Sequence, residues 1–303
     1  MAHHHHHHHH AESMAHDPST RLTLVLCIVL NLAFVVVEAI VGFTKNSLGL
    51  LSDAGHNLGD VFSLAISLLA VGMAARAANK HFTYGYKKST ILASLANAVI
   101  LLVAVGAILV ECVSKFRHPE AVSGAAVSWT AAAGIVVNGL TTLLLMSKQK
   151  GDLNMRGAFV HMMMDTLVSL GVVVSGIVII FTGWAWVDAL VSLAIAVVII
   201  ASTWSLLRES ISLSLDGVPE TIDIDEIEKK VKGIDGVAGL HHLHVWAIST
   251  TEIAATLHVV VTDAAVMSRV KDDVRHIMGD AGVVHCTVEC ELPGEVCHEH
   301  DCR

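Results

Sequence analysis

Two five-residue stretches hold the groups in this chain best suited to chemistry: His56-Asn57-Leu58-Gly59-Asp60 and His161-Met162-Met163-Met164-Asp165. Each sets an imidazole and a carboxylate four residues apart within an apolar run. Residues four apart share one face of a helix, so each stretch can aim one nitrogen and one oxygen donor at a common point. Neither pair completes a coordination shell. Together His56, Asp60, His161 and Asp165 supply four ligands, the number and types that tetrahedral Zn2+ accepts. The plainer reading is that both pairs only hydrogen-bond helices together. Against it, an Asp at a bilayer centre costs about 2.5–3.5 kcal/mol on insertion scales, and two beside two histidines are expensive to keep without a function.

The elements that must position these residues follow from composition. Of 303 residues, 53% are hydrophobic and 16% charged, an apolar excess that calls for lipid. Residues 1–13, with an unbroken run from His3 to His10, read as an expression tag and linker, so Met14 is the expected native start. Apolar windows long enough to cross a hydrocarbon core of about 30 Å fall near 22–43, 50–75, 90–113, 125–146, 157–181 and 187–207. The expected fold is a six-helix transmembrane domain over 14–210, followed by a small cytosolic α+β domain over 211–303. Counted at about 1.5 Å per residue from helix starts near Ser47 and Asp152, both His/Asp pairs lie roughly 13 to 20 Å along and so straddle the midplane. Because spans two and five run antiparallel, Asp60 is expected level with His161 and His56 with Asp165.

Loop charge sets the orientation. Arg76, Lys80, Lys87 and Lys88 follow span two, and Lys148, Lys150 and Arg156 follow span four, against Lys45, Lys115 and Arg117 in the opposite loops. The positive-inside rule places both termini in the cytosol. A net charge of −9 without clustered Lys and Arg argues against a nucleic-acid partner and suits cation handling.

Gly217 and Pro219 break the last span. Beyond them a helix over 225–231, strands over 242–248 and 254–261, a helix over 267–278 and a strand over 284–291 predict a sandwich of the metallochaperone, ferredoxin-like kind. His241, His258 and His285 fall in or beside these strands, with Glu291 at the end of the last. Cys286, Cys290, Cys297, His298, His300 and Cys302 crowd the C-terminal end without the close Cys-x-x-Cys spacing of a structural zinc site, and in a cytosolic segment they stay reduced.

The chain resembles the cation diffusion facilitator family, in particular its bacterial zinc-exporting branch. The likeness rests on Ser47-Leu48-Gly49-Leu50-Leu51-Ser52-Asp53-Ala54-Gly55-His56-Asn57-Leu58-Gly59-Asp60, on Phe82-Thr83-Tyr84-Gly85-Tyr86, on His161 to Asp165, and on Leu240-His241-His242-Leu243-His244-Val245-Trp246. The resemblance implies a homodimer in the bacterial inner membrane that exchanges cytosolic Zn2+ for protons by alternating access, with Cd2+ and Co2+ as minor substrates. It implies His56, Asp60, His161 and Asp165 as the transport site, and His241, His258, His285 and Glu291 as a regulatory zinc site. Some relatives carry a further histidine site after span two, but Phe82 and Tyr86 stand at the matching positions here, so none is expected. Two other classes compete: an intramembrane zinc metalloenzyme, for which no His-Glu-x-x-His motif or separate general base is present, and a membrane-anchored metal sensor, whose anchor would need no buried ligands.

Overall fold

The structure, a computed structural model, describes residues 18–44, 48–117, 125–150, 152–184, 186–295 and 297. Some helix side chains, that of His56 among them, lie outside this description. Six long helices come first: α1 (Pro18–Thr44), α2 (Leu48–Ala74), α3 (Ser89–Arg117), α4 (Ala125–Met146), α5 (Leu153–Thr182) and α6 (Trp186–Ser214). They run from 22 to 30 residues, or roughly 33 to 45 Å, longer than the hydrocarbon core they must cross. Helices are the form these segments take because lipid offers backbone amides no partner, and a helix satisfies them internally. Four of the six carry described apolar windows of at least 18 residues: Pro18–Val41, Asn57–Ala74, Ser89–Gly106 and Ala196–Ser214. Val103, Leu143 and Phe181 face outward, where lipid covers them, while Leu101, Met164 and Leu206 fill the interior.

The centre of the bundle is α5. It packs against α4 and α6 and also reaches α2 and α3. Close approach is possible because Gly157 presents no side chain: a Cβ there would meet Leu206 Cδ2 at 3.4 Å and Asn97 Cβ at 3.6 Å. Buried hydrogen bonds fix the rotation of these helices. Ser63 Oγ donates to Asn97 Oδ1 (3.0 Å), Asn97 Nδ2 to Ser67 Oγ (2.9 Å), and Asn154 Nδ2 to the Ser67 carbonyl (3.3 Å). This chain ties α2, α3 and α5 together at one depth, the helix-joining use that intramembrane Asn and Ser commonly serve.

The C-terminal domain comprises α7 (Ile224–Lys232), β1 (Val237–Ala247), β2 (Ile253–Val261), α8 (Met267–Asp280) and β3 (Val283–Glu291). Asp223 caps α7, its side chain accepting from the Glu226 amide (3.0 Å), with acids in the first turn and lysines in the last to match the helix dipole. The sheet order is β1-β2-β3; β1 and β2 are antiparallel, and α8 carries the chain back so that β3 lies parallel to β2. Val270, Val274 and Met278, one face of α8, pack with Ile227 and Val231 of α7 onto Leu257, Val259 and Val288.

The first strand differs from its predicted extent. It begins at Val237, five residues before the expected start at position 242, and its register shifts between His241 and His244. His242 adopts a left-handed backbone (φ 49°), so the bulge interrupts the alternation that a period-two reading requires. One consequence is that His241 and His242 both stand near His258, with ring centroids 5.2 Å away in each case.

Leu257 is 1% exposed at the centre of this second core. Leu257→Ala is expected to destabilise the C-terminal domain by about 2–5 kcal/mol. In a circular-dichroism melt of the detergent-solubilised chain, the early transition should move to lower temperature while the bulk helical signal keeps its midpoint.

Candidate metal centres

Inside the bundle, α2 and α5 bring Asp60, His161 and Asp165 together. Asp60 Oδ1 accepts from His161 Nε2 at 2.6 Å, and Asp165 Oδ2 lies 3.9 Å from the same nitrogen. The three residues are 2%, 3% and 5% exposed, and one ligand atom from each falls within 4.8 Å of the others. That separation suits donors to a single ion. On α5 the pair arises from helical spacing, since His161 and Asp165 are one turn apart; Asp60 comes from the facing helix at the level of His161. The backbone of His56 lies in α2 one turn before Asp60, and its side chain is outside the described residues.

Asn57, beside His56 on α2, donates to Glu38 Oε2 of α1 at 2.6 Å. Glu38 is 1% exposed. A charged or polar group at this depth needs such a partner, and this one fixes α2 against α1 next to the ligand pair. Asp53, Glu111 and Asp188, three further intramembrane acids of the sequence, have side chains outside the described residues.

A second group assembles in the C-terminal domain. His258 Nδ1 lies 2.6 Å from Glu291 Oε1, His241 Nε2 lies 3.3 Å from Glu291 Oε2, and Cys297 Sγ lies 4.0 Å from His258 Nδ1. One donor atom from each of His241, His258, Glu291 and Cys297 falls within 4.8 Å of the rest. The strands explain this. His241 and His258 are cross-strand partners on β1 and β2, and Glu291 ends β3 alongside Val260. Two imidazoles, a carboxylate and a thiolate form a donor set that fits Zn2+ or Cd2+ and leaves no coordination position to be filled by solvent.

The fourth member departs from expectation. His285 is exposed, pairs in register with Ala254, and meets the Tyr84 ring edge-on at a centroid distance of 5.5 Å. It stands four positions along β3 from Glu289, the residue opposite His258, which is about 13 Å at strand rise. Cys297 takes its place. After β3 the chain turns at Pro293-Gly294, where Gly294 has φ 93° and the Glu295 amide donates to the Leu292 carbonyl (3.1 Å). Past this reversal Cys297 lies beside His258. The Pro-Gly dipeptide was a visible turn signal six residues before position 300, but a turn alone does not say what the returning chain meets.

The remaining thiols play a different part. Cys286 and Cys290 pack against the α8 core, where burial pushes both thiols above their ordinary range, and neither joins the cluster around His258. His298, His300 and Cys302 lie outside the described residues.

Comparison with known proteins decides the family. The cation efflux transmembrane domain model matches residues 24–213, and the model for the cytoplasmic domain of cation efflux proteins matches 219–291. The chain belongs to the cation efflux family. A cadmium, cobalt and zinc/H(+)-K(+) antiporter of Bacillus subtilis (strain 168) is 34% identical over 291 residues, covering 94% of this chain and 93% of that protein. The metal cation efflux system protein CzcD of Cupriavidus metallidurans is 34% identical over 280 residues, covering 91% and 88%. The zinc transporter ZitB of Escherichia coli (strain K12) is 34% identical over 273 residues, covering 89% and 86%. The chain is therefore a membrane transporter of metal cations and not an enzyme, and the two donor groups of this transporter are to be read in that light.

The thiol gives the second centre a signature. Cd2+ added to tag-free transporter should produce thiolate-to-cadmium charge-transfer absorption. That band should disappear in Cys297→Ser and persist in Asp60→Asn and in Cys286→Ser; persistence in Cys297→Ser would remove Cys297 from the site.

Proposed function

We propose that this transporter exports Zn2+ from the cytosol, with Cd2+ and Co2+ as further substrates, in exchange for protons. The observation that carries this reading is the 2.6 Å contact between His161 Nε2 and Asp60 Oδ1 inside the bundle. These are the atoms a metal ion would use, and without metal they share a proton. Metal binding needs a neutral imidazole with a free nitrogen and ionised carboxylates, so Zn2+ and that proton compete for one place. An imidazole with a reference pKa of about 6.5 exchanges protons readily near neutral pH.

The transport site in this proposal is His56, Asp60, His161 and Asp165. On the cytosolic side Zn2+ displaces the proton between His161 and Asp60 and takes two nitrogen and two oxygen ligands. The bundle then rocks to expose the site outward, where protons return to the imidazoles and carboxylates and the ion leaves. The polar chain from Ser63 through Asn97 and Ser67 to Asn154 holds α2 and α5 in register, so the two halves of the site move as one. The names of relatives support the cargo, naming zinc, cadmium and cobalt, and one names exchange for H(+) and K(+).

The remaining parts of the proposal rest on the sequence, on the family resemblance and, for Cys297, on the geometry described above. Residues 1–13 are a tag, 14–210 span the bacterial inner membrane with both termini cytosolic, and 211–303 form a cytosolic domain through which two copies pair. In that domain His241, His258, Glu291 and Cys297 hold a resident zinc ion that regulates transport, with Cys297 replacing the expected His285.

Zinc uptake into inside-out proteoliposomes, with tag-free protein and a pH dye in the lumen, tests the central claim. Wild type should accumulate Zn2+ with proton movement in the opposite direction, and uptake should follow an imposed pH gradient. Asp60→Ala and Asp165→Ala should each lower uptake by at least about a hundredfold, since losing a ligand costs no less than the roughly 10–100-fold lost with an outer-shell partner. Uptake by both variants at the wild-type rate would move the pathway away from these residues.

A further inference from the structure

The turn between β1 and β2 reaches out of the C-terminal domain into the end of the helical bundle. Its own shape is settled internally. Ser249 Oγ accepts from the amides of Thr251 (3.1 Å) and Glu252 (3.0 Å), and the Ile248 amide donates to the Glu252 carbonyl (2.9 Å). Thr250, at the tip, is left to face the membrane domain. Its amide donates to Thr90 Oγ1 near the start of α3 (3.1 Å), and its hydroxyl donates to Asp152 Oδ1 (2.9 Å). Lys87 pairs with Glu252 beside it.

Asp152 is the residue on which α5 begins. Its Oδ1 accepts from the amides of Asn154 (2.8 Å) and Met155 (3.4 Å), and its carbonyl accepts from the Arg156 amide (2.8 Å). The first amides of a helix have no intrahelical partner, and a side-chain cap is what satisfies them. Asp152 is 4% exposed. Burial raises its carboxyl above the ordinary range, opposed by the Thr250 hydroxyl and the two capping amides, so Thr250 supplies part of what keeps the cap in its acceptor form.

Both ends of this arrangement lead to a metal centre. Going up α5, His161 and Asp165 are nine and thirteen residues beyond Asp152, about 14 and 20 Å along one continuous helix. Going down the hairpin, pairs from Ala247↔Ile253 to His244↔Thr256 are in regular register, and past the bulge lies His241↔His258, about 20 Å from the turn at strand rise. The β1–β2 pairing is thus regular next to the turn, and its nearest register shift lies between His241 and His244.

We propose that the β1–β2 turn is a strut between the two centres: metal at His241, His258, Glu291 and Cys297 sets the hairpin, and Thr250 passes that setting to the Asp152 cap of α5. Thr250 and Asp152 are then positioning residues for transport and touch no ion. The inference rests on the proposed regulatory site but does not need the proposed flux.

Hydrogen–deuterium exchange of the full-length, tag-free chain in lipid nanodiscs tests it, in an Asp60→Asn/Asp165→Asn background that confines metal to the C-terminal centre. Saturating Zn2+ should slow exchange of peptides covering 153–158 by about threefold or more, a change in local opening. Thr250→Val should abolish that zinc response, and Thr250→Ser, which keeps the hydroxyl, should restore it. Peptides from α8 and β3 report whether the domain is folded in each variant, and the cadmium–thiolate band reports whether the C-terminal centre still binds. A folded, metal-binding Thr250→Val that responds like its parent overturns the strut, as does a parent whose 153–158 exchange ignores zinc while the band is present. Absence of the band in the parent also overturns it, because the strut then has no input. Failure of zinc uptake by wild-type proteoliposomes would instead count against the transport reading and leave this result standing.

Discussion

A carboxylate and an imidazole 2.6 Å apart in the interior of a helical bundle impose a constraint that the rest of the architecture serves. In a low-dielectric setting neither group tolerates isolation, since desolvation of an unpaired charge costs far more than a hydrogen bond returns. Asp60 and His161 therefore need each other, and Asp165 lies 3.9 Å from the same imidazole nitrogen. A pair satisfied by a proton can also be satisfied by a divalent ion, and the two solutions exclude one another. The exchange proposed above follows from placing these groups where water does not replace either partner.

Holding that pair requires that α2 and α5 meet at a fixed depth and rotation. Apolar packing alone is permissive about both, because lipid tails are as greasy as leucine side chains and a helix can slide or turn at little cost. Directional bonds remove the freedom: Ser63, Asn97, Ser67 and Asn154 stitch α2, α3 and α5, and Asn57 with Glu38 fixes α2 against α1. Gly157 lets α5 sit close enough to α3 and α6 for these bonds to form. The same logic governs the C-terminal domain, where an apolar core under a three-stranded sheet sets the frame and a bulge at His242 gathers histidines on one side.

The two domains meet through polar contacts that join secondary-structure ends. Lys88 reaches Asp216 at 2.5 Å, and the β1–β2 turn seats Thr250 on Thr90 and Asp152. Helix ends are where such contacts have leverage. Unpaired amides concentrate there, and Asp152 satisfies two of them at the start of α5.

Much of this was legible in the sequence. Apolar runs of membrane-spanning length give six helices within four residues of where they lie, except that α6 runs seven residues past the expected end, because hydrocarbon permits no other backbone for such segments. The spacing of four between His and Asp puts each pair on one helix face, and that is a local matter. The family signature in α2 and α5 points to the same residues. What local pattern could not decide was which residues from different elements share a site. His285 satisfied strand periodicity as well as His258, yet the parallel register of β3 on β2 carries it to Ala254 and away from the cluster. Cys297 had no periodicity to mark it, and only the reversal after Pro293 brings its thiol to His258. The bulge that turns His241 and His242 together, and the turn that seats Thr250 on the cap of α5, likewise depend on where separate elements stop against one another. Sequence fixes what each element is because secondary structure answers to neighbours along the chain. Tertiary structure decides which donors meet because register and closure answer to the packing of the whole.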